Sequence, residues 1–131
     1  MEAGDTFLMG SPGGKVKHLH IILGFFDTHH PIVINTTSPE NRPRSETFFL
    51  TNEDHDWLTD PRSILAYDMC RTLEGYTELQ QALDAGTFVI PQKPLNPALL
   101  REVVKQTLQH PDTPRIEKKR LQEYYAGADW L

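Results

Sequence analysis

The sequence predicts an α+β chain: a small antiparallel β-barrel or curled sheet of about five to six strands, followed by C-terminal helices. Three observations predict it. Up to residue 73, short stretches rich in β-branched residues alternate with turn-rich joints. No helical pattern in that half is long enough for the crossovers of a parallel sheet. After Gly75 the apolar spacing becomes helical. A length of 131 residues suits one domain. The expected division is a barrel core over 4–73 and a mainly helical extension over 74–131.

The elements follow in order. Residues 5–9 form a short strand. Ser11-Pro12-Gly13-Gly14 is a turn, because glycine reaches positive φ at little cost. Residues 16–23 are a strong strand, with Val16, His18, His20 and Ile22 on one face and Lys17, Leu19, Ile21 and Leu23 on the other. A polar turn over 27–31 leads to a β-branched strand over 32–37. A proline-containing charged loop over 38–45 precedes a strand over 46–50. Residues 52–62 are irregular, and 64–73 are extended, although Leu65-Ala66-Tyr67 also suits a helix. A helix over 77–85 stops at Gly86, and 87–90 add a further strand. Residues 92–97 read as a linker. Asn96 caps a helix that has Pro97 at its first position, with an apolar stripe of Leu99, Leu100, Val103, Val104 and Leu108. Thr113-Pro114 repeats that signal before a helix bearing Ile116, Leu121, Tyr124 and Tyr125. The last two helices are expected to pack outside the barrel through Leu100, Val104 and Leu121.

The net charge of −5 argues against non-specific coating of nucleic acid but leaves room for a local RNA cleft. No apolar run approaches the roughly 18 residues of a membrane span, and the first five residues lack the pattern of a secretory signal. A cytoplasmic location without membrane attachment is expected. The lone Cys70 supplies neither an internal disulfide nor a multi-cysteine zinc site.

Six histidines carry the strongest chemical signal. His29, His30 and His110 read as solvated side chains. His18 and His20 share a strand face, either as a shared site, as a polar outer face, or with one imidazole hydrogen-bonded inside. His55 sits among the carboxylates of Glu53-Asp54-His55-Asp56-Trp57, which suits an oriented acid/base or a plain surface turn. Asn35, Thr36 and Thr37 end a strand, where they can bind a phosphate or begin a turn. Ser63 and Tyr67 point the same way on helix or strand. Arg42, Arg44 and Arg62 are candidate phosphate ligands, since a guanidinium fork matches phosphate oxygens.

Taken in order, several motifs resemble a known group. These are Gly4-Asp5-Thr6-Phe7, the strand from Leu19 to Leu23, Val33-Ile34-Asn35-Thr36-Thr37-Ser38, and Asp60-Pro61-Arg62-Ser63 running to Tyr67-Asp68-Met69-Cys70-Arg71-Thr72-Leu73. This order resembles the MazF/PemK-type ribonuclease toxins over roughly residues 4–73. It also resembles small phage and plasmid proteins, through His18-Leu19-His20-Ile21, Ile34-Asn35-Thr36, Asp54-His55-Asp56-Trp57 and Ser63 to Tyr67. The family's usual Arg-Pro before the second strand is replaced by Lys17-His18. The resemblance implies an SH3-like barrel that cleaves single-stranded RNA without a metal or cofactor and is neutralised by an antitoxin protein, with homodimerisation open.

On that reading the RNA 2′-hydroxyl is the nucleophile, and His18 and His55 are the base and acid. Thr36 and Tyr67 join them in catalysis, while Asn35, Trp57, Arg62 and Ser63 bind substrate, Trp57 by stacking. A second expectation is a metal-dependent hydrolase built on His18, His20 and His55, with Asp54. A third is a non-catalytic binding module.

Overall fold

The structure, a computed structural model, describes residues 1–10, 17–41, 48–58, 62–86 and 89–131. Its central strand is β2 (Lys17–Phe26), which pairs antiparallel with β1 (Thr6–Gly10) on one side and β3 (His30–Thr37) on the other. β1 also pairs with β6 (Val89–Gln92). The outer edge of β3 is shared by two short strands, β4 (Ile64–Leu65) and β5 (Arg71–Thr72). Three helices complete the chain: α1 (Tyr76–Ala85), α2 (Pro97–Gln109) and α3 (Arg115–Tyr124). The protein is thus α+β, with a six-stranded antiparallel sheet in the order β4-β3-β2-β1-β6 and β5 beside β4. No described strand joins β6 to the β4–β5 edge, so among the described residues the sheet is open rather than a closed barrel.

The reason for two covered faces is visible in β2. Leu19, Ile21, Ile22 and Leu23 are all fully buried. An apolar run of this kind must be covered on both sides. Leu19, Ile21 and Leu23 join Ile32, Ile34, Val103, Val104 and Leu121 in the larger core, under α2 and α3. Phe7, Ile22 and Val33 form a smaller core with Leu79 of α1 and Val89 of β6. Val104 and Leu121 therefore anchor the last two helices as the spacing predicts, and Leu100 packs at the margin.

The structure corrects three boundaries. β6 lies within the expected helical extension yet pairs with β1, so the sheet is not confined to residues 4–73. The expected strand over 46–50 contributes one isolated bridge, Leu50 to Ser63, its first two residues lying outside the described ones. The expected strand over 64–73 is interrupted by a 3-10 turn, Tyr67–Met69. There Ala66 donates its N–H to the Asn35 carbonyl, and Tyr67 turns inward to stack on His110. The Ser11–Gly14 turn, Val16, Arg42, Arg44, Asp60-Pro61 and Thr87-Phe88 lie outside the described residues. Asn96 and Pro97 behave as expected: the Asn96 side chain accepts from the Ala98 N–H at 2.8 Å. No described helix is long and apolar enough to cross a membrane.

α3 is fixed to β2 at a bulge between Ile22 and Gly24. A Cβ on Gly24 would lie 2.8 Å from the Tyr124 ring, so the missing side chain is what admits that ring. The Tyr125 hydroxyl beside it donates to the Leu23 carbonyl. Gly24→Ala should therefore cost about 1–3 kcal/mol through overpacking, read as a lower urea midpoint. In a Tyr124→Ala background most of that cost should vanish. An equal cost in both backgrounds would show that the ring is not what Gly24 accommodates.

Candidate functional site

The register of β1, β2 and β3 divides the expected site residues between two faces. Phe7 pairs with His20, and His20 pairs with Asn35, so these three side chains share the face that carries α1. His18 lies two residues from His20 and shares that face. Arg71 pairs with Val33 and joins it from the β5 edge. Thr36, one residue on from Asn35, points to the opposite face, where it pairs with Leu65.

His20 is the best-defined polar group on the α1 face. It is 4% exposed, and its ring stacks on Phe7 with centroids 5.2 Å apart. Its Nδ1–H donates to the His18 carbonyl at 2.9 Å. Its Nε2 then has a free lone pair, which accepts from the Arg71 guanidinium at 3.0 Å. Burial pushes the His20 pKa down to about 4, helped by the Arg71 charge and only partly opposed by the bond to His18. The imidazole is therefore neutral at physiological pH. Arg71 also donates to the Met69 carbonyl at 2.9 Å. Burial lowers its pKa as well, but a guanidinium keeps its proton. Among the described residues it donates to no carboxylate. The result is a half-buried positive charge whose described hydrogen-bond partners are neutral, on the sheet face that also carries the half-buried His18 and Asn35.

His55 is on the other side of the sheet. Thr6 pairs with Ile21 and so points into the larger core, and His55 Nε2 lies 3.2 Å from the Thr6 hydroxyl. The same Nε2 donates to the Lys93 carbonyl at 2.7 Å, and Nδ1 accepts the Trp57 backbone N–H at 3.1 Å. Both ring nitrogens are engaged and the residue is buried. His55 ties the loop 48–58 and the connector after β6 to β1. The structure therefore does not bring His18 and His55 to one phosphate, and it does not assemble His18, His20 and His55 around a metal. Among the described residues no three His, Cys, Asp or Glu side chains are grouped as metal ligands.

The remaining expected residues have structural surroundings. Tyr67 is fully buried and lies parallel to His110 at 4.1 Å between centroids. His110 itself is buried, which corrects its expected solvation; its Nδ1 accepts the Asp112 N–H. Trp57 packs against the larger core, Ser63 is buried beside Leu50, and exposed Arg62 lies over the Phe49 ring at 4.8 Å. The Asn35 amide donates to the Thr36 carbonyl at 3.2 Å. The buried Cys70 thiol is pushed up to about 12, chiefly by burial and further by Glu117, and is no nucleophile.

Arg71 is the functional candidate that sequence reasoning passed over in favour of Arg42, Arg44 and Arg62. Its only linear signal is the Arg71-Thr72 pair ending the resemblance. No family model, curated protein or solved structure matches the chain.

Because the His20 pKa falls from the ordinary 6.5 to about 4 on folding, the unfolded chain binds the proton more readily. The neutral ring's contribution is thus fully present above pH 6.5 and is lost as the pH falls towards 4. It amounts to about 3 kcal/mol. Urea unfolding at stepped pH should show this loss in the wild type and a smaller one in His20→Gln. Equal pH slopes for the two proteins would contradict a depressed His20.

Proposed function

We propose that this chain binds single-stranded RNA at the His18–Asn35–Arg71 face and cleaves it as a metal-independent endoribonuclease. The observation that carries the reading is Arg71: a half-buried guanidinium whose partners are a carbonyl and an uncharged imidazole. Such a cation attracts an anion, and its planar fork suits phosphate oxygens. The ordered motifs resembling the MazF/PemK-type toxins support the same substrate class. The SH3-like closure of that family belongs to this proposal, as do a cytoplasmic setting and an antitoxin partner covering this face.

The chemistry needs no protein nucleophile. The RNA 2′-hydroxyl attacks the adjacent phosphorus, and the bond to the 5′-oxygen breaks. The products are a 2′,3′-cyclic phosphate and a 5′-hydroxyl. His18 takes the 2′-hydroxyl proton, Arg71 stabilises the charge on the phosphoryl oxygens, and solvent protonates the leaving oxygen. His18 lies on the same strand face as His20, about 7 Å along it, and Arg71 donates to the His20 ring, so the reading places one phosphodiester over this face. His20 holds the guanidinium without neutralising it.

The test is cleavage of labelled single-stranded RNA of varied sequence in the presence of a chelator. The wild type should give cyclic-phosphate ends. Arg71→Gln should slow cleavage by about 10²–10³-fold, and His18→Ala by about 10²–10⁴-fold. Expression alone should arrest growth. RNA that is bound but left intact would make the chain a binding module. A folded Arg71→Gln variant cleaving at the wild-type rate would remove the proposed site.

A further inference from the structure

Two guanidiniums converge on the short edge strand β5. Arg71 belongs to it, and Arg120 of α3 donates to the hydroxyl of the next residue, Thr72, at 2.9 Å. Successive strand side chains point to opposite faces. The two cations therefore bracket the β5 edge, one from each face of the sheet.

Beside Arg120 lies a cavity of about 380 Å³, between the β2–β3 hairpin and the end of α3, lined by Phe25, Phe26, Asp27, Arg120, Glu123 and Tyr124. Arg120 already covers the Phe26 ring, 4.0 Å from its centroid. Tyr124 is different. It is 43% exposed, and its ring lies 6.1 Å from that of Phe25 at an angle of 52°. It presents open aromatic surface inside the cavity wall. The Asp27 and Glu123 carboxylates at the rim repel a phosphate, but they accept hydrogen bonds from the N–H groups of a neutral planar ring. The hairpin tip is also held in a costly form: Asp27 and Thr28 have φ of 55° and 56°, and a β-branched residue rarely adopts such values.

We propose that this cavity is a nucleobase-stacking subsite for single-stranded RNA that crosses the β5 edge with a phosphate at Arg71. The inference rests on the RNA reading above and adds a second contact point to it. Phosphate is drawn to Arg71, which donates to no carboxylate among the described residues. A base enters the hairpin cavity, where aromatic surface is exposed and acidic groups exclude the backbone. Stacking of this kind tolerates sequence, because every base has a π-face.

The test is fluorescence anisotropy of a labelled single-stranded oligoribonucleotide of mixed sequence, 2′-O-methylated throughout so that it cannot be cleaved, with each variant's folding checked by thermal melting. Tyr124→Leu should weaken binding by about 5–100-fold and Tyr124→Phe by less than about 2-fold, since only the first loses the ring. Arg71→Gln should also weaken binding. A folded Tyr124→Leu that binds like the wild type, beside an Arg71→Gln that does not, would remove the subsite and leave the Arg71 reading standing. Equal losses in Tyr124→Leu and Tyr124→Phe would also overturn stacking. If no RNA binds the wild type, both readings fall. As a check independent of any variant, 2-aminopurine in the oligonucleotide should lose fluorescence on binding the wild type at one or more positions. Unchanged fluorescence at every position would overturn the subsite.

Discussion

The site depends on one contact, in which a charged guanidinium is held by an imidazole that stays uncharged. Had His20 been a glutamate, Arg71 would form a buried ion pair whose attraction is spent within the protein. Here the Nε2 lone pair fixes one edge of the guanidinium, which among the described residues donates to no carboxylate. Burial chiefly keeps the ring neutral, the Arg71 charge adds to it, and the Nδ1 bond to the His18 carbonyl sets the tautomer while working against burial. Each comes from a neighbouring position in the sheet, so strand register and site chemistry are the same constraint.

That register also explains the separation of roles among the histidines. A strand buried on both faces leaves polar groups no route to water unless they find partners. His55 finds Lys93, Trp57 and Thr6 beneath the sheet, while His110 finds Tyr67. Both serve packing. His18 is left half-buried at the start of β2, on the Arg71 face.

Much of the fold was legible in the sequence because its signals are local. The alternation in β2, the glycine stop at Gly86, and the Asn96-Pro97 start can each be read within a few residues. The open sheet was harder. The apolar run Ile21-Ile22-Leu23 is a sign of two covered faces, but the alternation of His18 and His20 before it suggests one. The site was least legible, because its contacts are long-range. His20 and Arg71 are 51 residues apart, and His55 and Thr6 are 49 apart. Carboxylates adjacent to His55 in sequence suggested acid/base chemistry, yet its ring bonds are to Lys93, Thr6 and the Trp57 backbone.

The central claim is that Arg71 keeps an open positive charge for a phosphodiester. It is tested most directly by NMR of the Arg71 side chain and the His20 ring during titration with a short RNA made uncleavable by 2′-O-methylation of every nucleotide. Saturable shifts of both groups at one-to-one stoichiometry, with His20 remaining neutral, are the predicted result. Binding that leaves the Arg71 and His20 signals unmoved would contradict the account.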